Sequence, residues 1–173
     1  MSTQHLLAFE VGGNRFALST EQVREVVRTV AIAALPKAPP IVEGVINFRG
    51  TLVPVLDIRE RFGLPRAPLA PEQHLIIADA DNRVVALRVD RALDLVIVDE
   101  DDIERASGVA PGTEYVAGIA KLADGLLVIH DLRRFLSLGE ASQVDAAVVG
   151  SMAAREAGQQ PTSPSSPKRK GRG

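Results

Sequence analysis

An internal repeat is the feature of this 173-residue chain that most constrains its fold. The segment Gly44–Leu64 aligns without a gap on Gly118–Leu138, which lies 74 positions later. The aligned segments share identical residues at Gly44/Gly118, Leu52/Leu126, Asp57/Asp131, Arg59/Arg133 and Leu64/Leu138. Upstream, His5-Leu6-Leu7 and Ala17-Leu18 recur in the same order as His74-Leu75-Ile76 and Ala86-Leu87. A pattern that occurs twice in one chain predicts two similar units that pack against each other.

Each unit has the pattern of short β-strands separated by tight turns. Apolar segments that flank Gly, Asn or Asp residues predict hairpins. The predicted strand pairs are His5–Val11 with Arg15–Leu18, Val45–Phe48 with Thr51–Leu56, His74–Asp79 with Arg83–Val89, and Tyr115–Leu122 with Leu126–His130. About 70 residues and roughly five short strands per unit fit a small closed barrel, because closure removes exposed sheet edges. The fold class predicted is therefore mainly β, with two tandem pseudo-repeated barrels.

Helical patterning is brief. The capping-box sequence Ser19-Thr20-Glu21-Gln22 predicts one or two helical turns that continue through Val27. Two further turns are predicted at Asp57–Phe62 and Asp131–Leu136, since each opens with an Asp that suits a helix N-cap.

The end of the chain has a different composition. After residue 139 the long β-branched runs stop, and Val144–Ala157 is predicted as a short, weakly packed helix. Gly158–Gly173 is rich in Pro, Ser and Gly, which predicts disorder because such a segment buries too little apolar surface. Its basic tip, Lys168–Arg172, could contact acidic lipid or nucleic acid, but a solvated tail is the simpler interpretation.

Composition excludes several classes of function. The chain has no cysteine, so thiol catalysis, disulfides and thiolate metal sites are absent. A net charge of −2 and 3% aromatic residues argue against a nucleic-acid binder. No apolar run is long enough to span a bilayer, and the N-terminus lacks a signal-peptide pattern. These features predict a soluble intracellular protein without a cofactor or metal.

Catalytic motifs are sparse. His5 and His74 occupy matching repeat positions, which favours a structural role. His130 beside Asp131 leaves an enzyme as one alternative, although no nucleophile motif accompanies the pair. The run Asp99–Asp102 lacks the spacing of a calcium loop, and Asp79, Asp81 and Asn82 are interpreted as hairpin residues. A small-barrel ligand-binding module is the other alternative, but it would need stacking aromatics or a phosphate cradle.

One turn has the character of a binding surface. In Asn47-Phe48-Arg49-Gly50 an arginine lies at the tip of a hairpin between two apolar strands. The second repeat has Ala123-Asp124-Gly125 at this place, so the turn does not need the arginine. A guanidinium held at a hairpin presents a planar set of donors that suits a protein hot spot, although a solubilising turn residue is the plainer interpretation.

Several motifs, taken in order, resemble the CheW family of bacterial chemosensory coupling proteins. The resemblance covers roughly residues 5–138. It rests on Val23-Arg24-Glu25-Val26, Leu35-Pro36-Lys37-Ala38-Pro39, Gly44–Gly50, Val53–Arg59, Val89-Asp90, Thr113–Gly118 and Asp131-Leu132-Arg133. Phe48 replaces the more usual Leu of the Asn-Leu-Arg-Gly motif, and Ala86 stands where Gly is common.

The resemblance implies an SH3-like form for the two barrels, intertwined within residues 1–138, with one subdomain at roughly 15–85 and the other formed by the remainder. It implies a non-enzymatic adaptor that couples chemoreceptors (methyl-accepting chemotaxis proteins) to the histidine kinase CheA in chemosensory arrays. The implied partners are the regulatory domain of CheA, the cytoplasmic tip of the receptors and other CheW-like domains. The same contacts would serve an alternative, non-flagellar pathway that controls pili, development or a second messenger.

The resemblance also implies site residues. Arg49 matches the family's receptor-contact arginine, with Asn47 and Gly50 beside it. Val23 and Glu25 match a valine and a glutamate implicated in receptor coupling, and Gly44 matches a glycine that protects backbone geometry. No kinase-contact residue carries over, because Asp99–Pro111 matches the family only loosely.

Overall fold

The computed structural model describes residues 2–105, 115–136 and 138–158. The tail predicted to be disordered is Gly158–Gly173, and all of it after Gly158 is outside the described residues. Within them the chain forms strands β1 (Thr3–Val11), β2 (Asn14–Ser19), β3 (Val23–Arg28), β4 (Val42–Phe48), β5 (Thr51–Asp57), β6 (His74–Ala80), β7 (Arg83–Val89), β8 (Arg91–Asp99), β9 (Ile103–Arg105), β10 (Val116–Leu122) and β11 (Gly125–His130). The helices are α1 (Ile58–Phe62) and α2 (Leu138–Gly158), with 3₁₀ turns at Glu100–Asp102 and Leu132–Arg134.

The strands form two sheets that exchange a hairpin between the halves of the chain. The first barrel has the order β3-β6-β7-β5-β4, and the second has the order β8-β1-β2-β11-β10-β9. Each barrel therefore takes its central hairpin, β6–β7 or β1–β2, from the other half. The parallel pairings are equivalent as well, since Val55 lies opposite Ala86 and Ile129 lies opposite Ala17. The mainly β fold with two interlocked barrels is confirmed.

Both barrels close at the repeat glycine. In the first barrel, Ala33 and Val45 exchange two backbone hydrogen bonds of 2.9 and 2.8 Å, which joins the chain beyond β3 to β4. In the second barrel, β9 follows β8 after a 3₁₀ turn and pairs with β10 at Gly118. A Cβ on Gly44 would lie 2.2 Å from the carbonyl oxygen of Ala33. The glycine is therefore required because the two backbones approach too closely for a side chain.

The core has three layers that follow the alternation of the strands. On β6, Leu75 and Ile77 point into the first barrel, whereas Ile76 and Ala78 point to the layer between the barrels. On β1, Leu6 points into the second barrel and Phe9 into the layer between the barrels. Both faces of these strands are buried, which explains why they are continuous apolar runs in the sequence.

The helix predicted from Ser19 through Val27 is wrong. Ser19 and Gln22 form a turn, with the Gln22 N–H donating to the Ser19 carbonyl at 3.0 Å, and Val23–Arg28 is the strand β3. β3 pairs with β6, with Val26 opposite Ile76. A partner strand about 50 residues away in the chain supplies the backbone hydrogen bonds, and tertiary pairing therefore overrides the local capping signal.

The two Asp-capped turns are present. The Asp57 carboxylate accepts a hydrogen bond of 3.0 Å from the Arg59 N–H at the start of α1. The Asp131 carboxylate accepts one of 3.1 Å from the Arg133 N–H. The second turn is shorter than the predicted Asp131–Leu136 helix, because it closes as a 3₁₀ turn over Leu132–Arg134.

Helix α2 is longer than the predicted segment Val144–Ala157 and begins at Leu138. Its early turns lie on the outer face of the first barrel, where Ala141, Val144 and Ala147 are buried. Asp145 pairs with Arg83 at 2.9 Å. This packing stabilises the first turns of the helix, which the sequence pattern did not mark. No helix in the described part of the chain is long and apolar enough to cross a bilayer.

Candidate functional site

The candidate site is one end of the first barrel, where two hairpin turns and the start of β3 come together. Strands β5 and β7 run parallel, with Val55 opposite Ala86. The turns that precede them, Arg49-Gly50 and Asp81-Asn82, therefore lie at the same end of the barrel. We refer to this end, together with Val23–Glu25 of β3, as the turn end.

The Arg49-Gly50 turn holds an arginine in the left-handed backbone region. The φ angles of Arg49 and Gly50 are 51° and 85°. The Asn47 side-chain oxygen accepts a hydrogen bond of 2.9 Å from the Gly50 N–H, which stabilises the turn. A left-handed conformation costs a non-glycine residue about 1 kcal/mol, and Asn or Gly would suit the position better. The turn therefore keeps an arginine against its local conformational preference.

The Arg49 guanidinium is both held in place and accessible. Its Nη2 lies 2.8 Å from a carboxylate oxygen of Glu25 on β3. Its Cζ lies 4.9 Å from the centre of the Phe48 ring, which is a cation–π contact. The Arg49 side chain is nevertheless 72% exposed. Two contacts orient the guanidinium, and most of its donors remain free for a partner.

The structure brings together four of the five residues that the resemblance implied. Arg49, Asn47, Gly50 and Glu25 lie at the turn end within one set of contacts. Val23 is on the same strand as Glu25, but its half-buried side chain packs against the layer between the barrels. Val23 is therefore placed to support β3 rather than to present a surface.

Two further arginine–carboxylate pairs lie at the turn end, and sequence reasoning missed both. Arg24 Nε donates to both carboxylate oxygens of Asp79 at 2.9 Å. Arg83 donates to both oxygens of Asp145 at 2.9 Å. These hydrogen bonds raise the pKa of each arginine above its ordinary value. The partners are more than 50 positions apart in the chain, so no local motif marks them.

Asp79 lies in the β6–β7 hairpin, as predicted, but on its strand rather than in its turn. Asp81 and Asn82 form the β6–β7 turn, with φ angles of 48° and 68°. Asp79 lies before that turn on β6, where its carboxylate binds Arg24. The side chain is available to β3 because neighbouring strands bring the two residues together.

His130 is buried in the layer between the barrels. Its ring is 2% exposed, and neither nitrogen has a hydrogen-bond partner among the described residues. The rings of Phe9, Phe16, Phe62 and Phe135 surround it, with centroids 4.6 to 5.7 Å away. Burial lowers the pKa of His130 to about 3. The imidazole makes no hydrogen bond to Asp131, so the structure does not assemble the catalytic pair considered above.

The acidic run Asp99–Asp102 ends β8 and forms a 3₁₀ turn. Across residues 2–105, 115–136 and 138–158 no cluster of His, Asp and Glu has the arrangement of a metal site.

Comparison with known proteins identifies similar chains. The family model described as a CheW-like domain matches residues 5–148. The chain is 34% identical over 142 residues to the chemotaxis protein CheW of Bacillus subtilis strain 168, an alignment that covers 81% of this chain and 90% of the relative. It is 30% identical over 131 residues to the chemotaxis protein CheW of Rhizobium meliloti strain 1021, covering 75% and 84% of the two chains. The crystal structure of the scaffolding protein TtCheW from Thermoanaerobacter tengcongensis has a TM-score of 0.71 and 31% identity, and the match covers 80% of this chain and 96% of that one.

Proposed function

The chain belongs to the family of CheW-like domain proteins, which are chemotaxis adaptors, and from this premise we propose that it couples chemoreceptors to the histidine kinase CheA. In this proposal the turn end binds the cytoplasmic tip of a receptor. The regulatory domain of the kinase binds elsewhere, and the protein works as a scaffold in a receptor array without catalysing a reaction.

The observation that carries the proposal is the conformation of Arg49. Its backbone is left-handed, and its side chain is oriented by Glu25 and Phe48 but remains 72% exposed. A fixed guanidinium binds a partner with little further loss of side-chain entropy. Arginine is also among the residues enriched at the energetic centre of protein interfaces.

The test is a pair of calorimetric titrations of the full chain. One uses a receptor signalling-tip fragment, and the other uses the regulatory domain of CheA from the same organism. Wild type is expected to bind both. Arg49→Ala is expected to weaken receptor binding by about 2 to 4 kcal/mol, which is about 30-fold or more, and to leave kinase binding unchanged.

Arg28→Ala is the matched control. Arg28 is also an exposed arginine of the first barrel, but it lies at the opposite end of β3 from the turn end. Its substitution is expected to leave both titrations unchanged. Equal receptor affinity for wild type and Arg49→Ala would reject the turn end as the receptor surface, and the absence of binding to both partners would reject the coupling function.

A further inference from the structure

The repeat places two equivalent cavities on the protein, one on each barrel. The first has a volume of about 340 Å³ and is lined by Val42, Glu43 and Asp57, among others. The second has a volume of about 360 Å³ and is lined at the corresponding positions by Val116, Ala117 and Asp131. Because the backbone frame is the same, differences between the cavities come from the side chains and segments around them.

In the first cavity a segment of the chain without regular secondary structure is bound by a buried arginine. Arg88 is 4% exposed and forms a two-pronged ion pair with Glu43. The same guanidinium donates to the carbonyl oxygens of Ala67 and Pro68, at 2.9 and 3.3 Å, and to the Gln73 side chain at 3.0 Å. These bonds hold the irregular linker 64–73 across the cavity. The first cavity thus combines an arginine, a carboxylate and the backbone carbonyls of an irregular segment.

The second cavity lacks the counterparts of Arg88, of Glu43 and of the linker, and other arginines line it instead. Ser19 takes the place of Arg88, since it follows Leu18 on β2 as Arg88 follows Leu87 on β7, and Ala117 takes the place of Glu43. After Leu138, the counterpart of Leu64, the chain forms α2 and packs on the first barrel instead. Among the described residues, no counterpart of linker 64–73 lies across the second cavity.

The charge balance of the second cavity is strongly positive. Arg105, Arg133 and Arg134 line it, and Asp131 supplies the only carboxylate among its described lining residues. The Nε atoms of Arg133 and Arg134 lie 3.5 Å from Asp131, and these two arginine side chains are 73% and 66% exposed. Arg105 has no ion-pair partner within the described part of the chain. Within the described lining, one carboxylate cannot satisfy three guanidinium groups, so most of their donors are available to a ligand.

We propose that the second cavity binds an extended, acidic peptide segment of a partner protein, in the position that linker 64–73 occupies on the first barrel. Glutamate or aspartate side chains of the segment pair with Arg133, Arg134 and Arg105, and its backbone lies along the cavity. The site is separate from the turn end, because it is on the other barrel, and it does not depend on the coupling function proposed above.

The test uses the full chain and a defined peptide, acetyl-Ala-Pro-Glu-Ala-Pro-Glu-Ala-amide, followed by ¹H–¹⁵N correlation spectra. With peptide at up to about 5 mM, a concentration that detects millimolar affinity, shifts are expected at the amides of Ala117, Gly118, Arg133 and Arg134. The matching peptide with Gln in place of Glu is expected to bind about tenfold more weakly, because the charge-assisted hydrogen bonds are lost.

Variants of the chain separate the site from general charge attraction. The double substitution Arg133→Gln with Arg134→Gln is expected to lower affinity about tenfold or more, and it leaves the backbone cap at Asp131 intact. Arg91→Gln, an exposed arginine on β8 of the same barrel, is the matched control and is expected to bind as wild type. Any of four outcomes would overturn the proposal. The Glu peptide causes no shifts, the Gln peptide binds as tightly as the Glu peptide, the double variant binds the Glu peptide as tightly as wild type, or inorganic phosphate alone causes the same shifts.

Discussion

Gly44→Ala tests whether the repeat glycine closes the first barrel. The new Cβ would lie 2.2 Å from the Ala33 carbonyl oxygen and 2.7 Å from Ile32 Cγ2. An ordinary contact requires about 3.4 Å, so the two backbones must separate by about 1 Å. That separation breaks both hydrogen bonds between Ala33 and Val45. We expect a loss of about 2 to 4 kcal/mol in the free energy of unfolding, from two backbone hydrogen bonds and disturbed packing.

The same substitution elsewhere provides a graded comparison. A Cβ on Gly118 would lie 2.9 Å from Ile103 Cγ2 and 3.0 Å from the Glu104 carbonyl, so a shift of a few tenths of an ångström suffices. Gly118→Ala should therefore lower the free energy of unfolding by about 1 kcal/mol. Gly150 lies in the exposed middle of α2 with open space around it, and Gly150→Ala should raise stability by about 0.5 to 1 kcal/mol.

The assay is urea unfolding of the three variants, followed by far-ultraviolet circular dichroism because the chain has no tryptophan. Hydrogen exchange at the Val45 amide reports the closure directly, and it should accelerate in Gly44→Ala relative to wild type. Two outcomes would refute the steric reasoning. One is a Gly44→Ala variant within 0.5 kcal/mol of wild type, since a lost hydrogen bond usually costs about 0.5–1.5 kcal/mol. The other is a Gly44→Ala variant that is no less stable than Gly118→Ala.

Two further predictions concern buried ionisable groups. The pKa of His130 is about 3 in the folded protein, against about 6.5 when unfolded. Above pH 6.5 the ring is neutral in both states, so protonation of His130 does not lower the free energy of unfolding there. As the pH falls from about 6.5 towards 3, the free energy of unfolding should decrease by about 1.4 kcal/mol per pH unit from this group, and urea unfolding of His130→Leu should lack that component. Arg88→Met leaves Glu43 without its partner and should destabilise the protein by about 3 to 5 kcal/mol in the same assay. Adding Glu43→Leu removes the unpaired carboxylate and should restore part of that stability, whereas the hydrogen bonds of Arg88 to the linker stay lost. A double variant as unstable as the single one would contradict the ion-pair explanation.

The sequence alone predicted the fold class and the hairpin turn that carries Arg49. Apolar runs and turn residues are local signals, and the four predicted hairpins match the observed pairs β1–β2, β4–β5, β6–β7 and β10–β11 to within a few residues. The repeat indicated two similar units, and in both of them a glycine stands where two backbones approach closely, although more tightly at Gly44 than at Gly118. Arg49 is marked in the sequence by its place at the tip of a hairpin whose counterpart in the second repeat has no arginine.

Only the tertiary structure decided which segments become neighbours. The capping signal at Ser19–Gln22 predicted a helix, but β3 pairs with β6 instead. The residues of β6 lie about 50 positions from β3, so the sequence around Ser19 does not include them. The same distance in the chain hid the contacts of Arg24 with Asp79 and of Arg83 with Asp145. It also hid the difference between the two cavities, since that depends on where the chain goes after Leu64 and after Leu138. Local patterns determine strands and turns, whereas contacts between distant residues form only when the two interlocked barrels have closed.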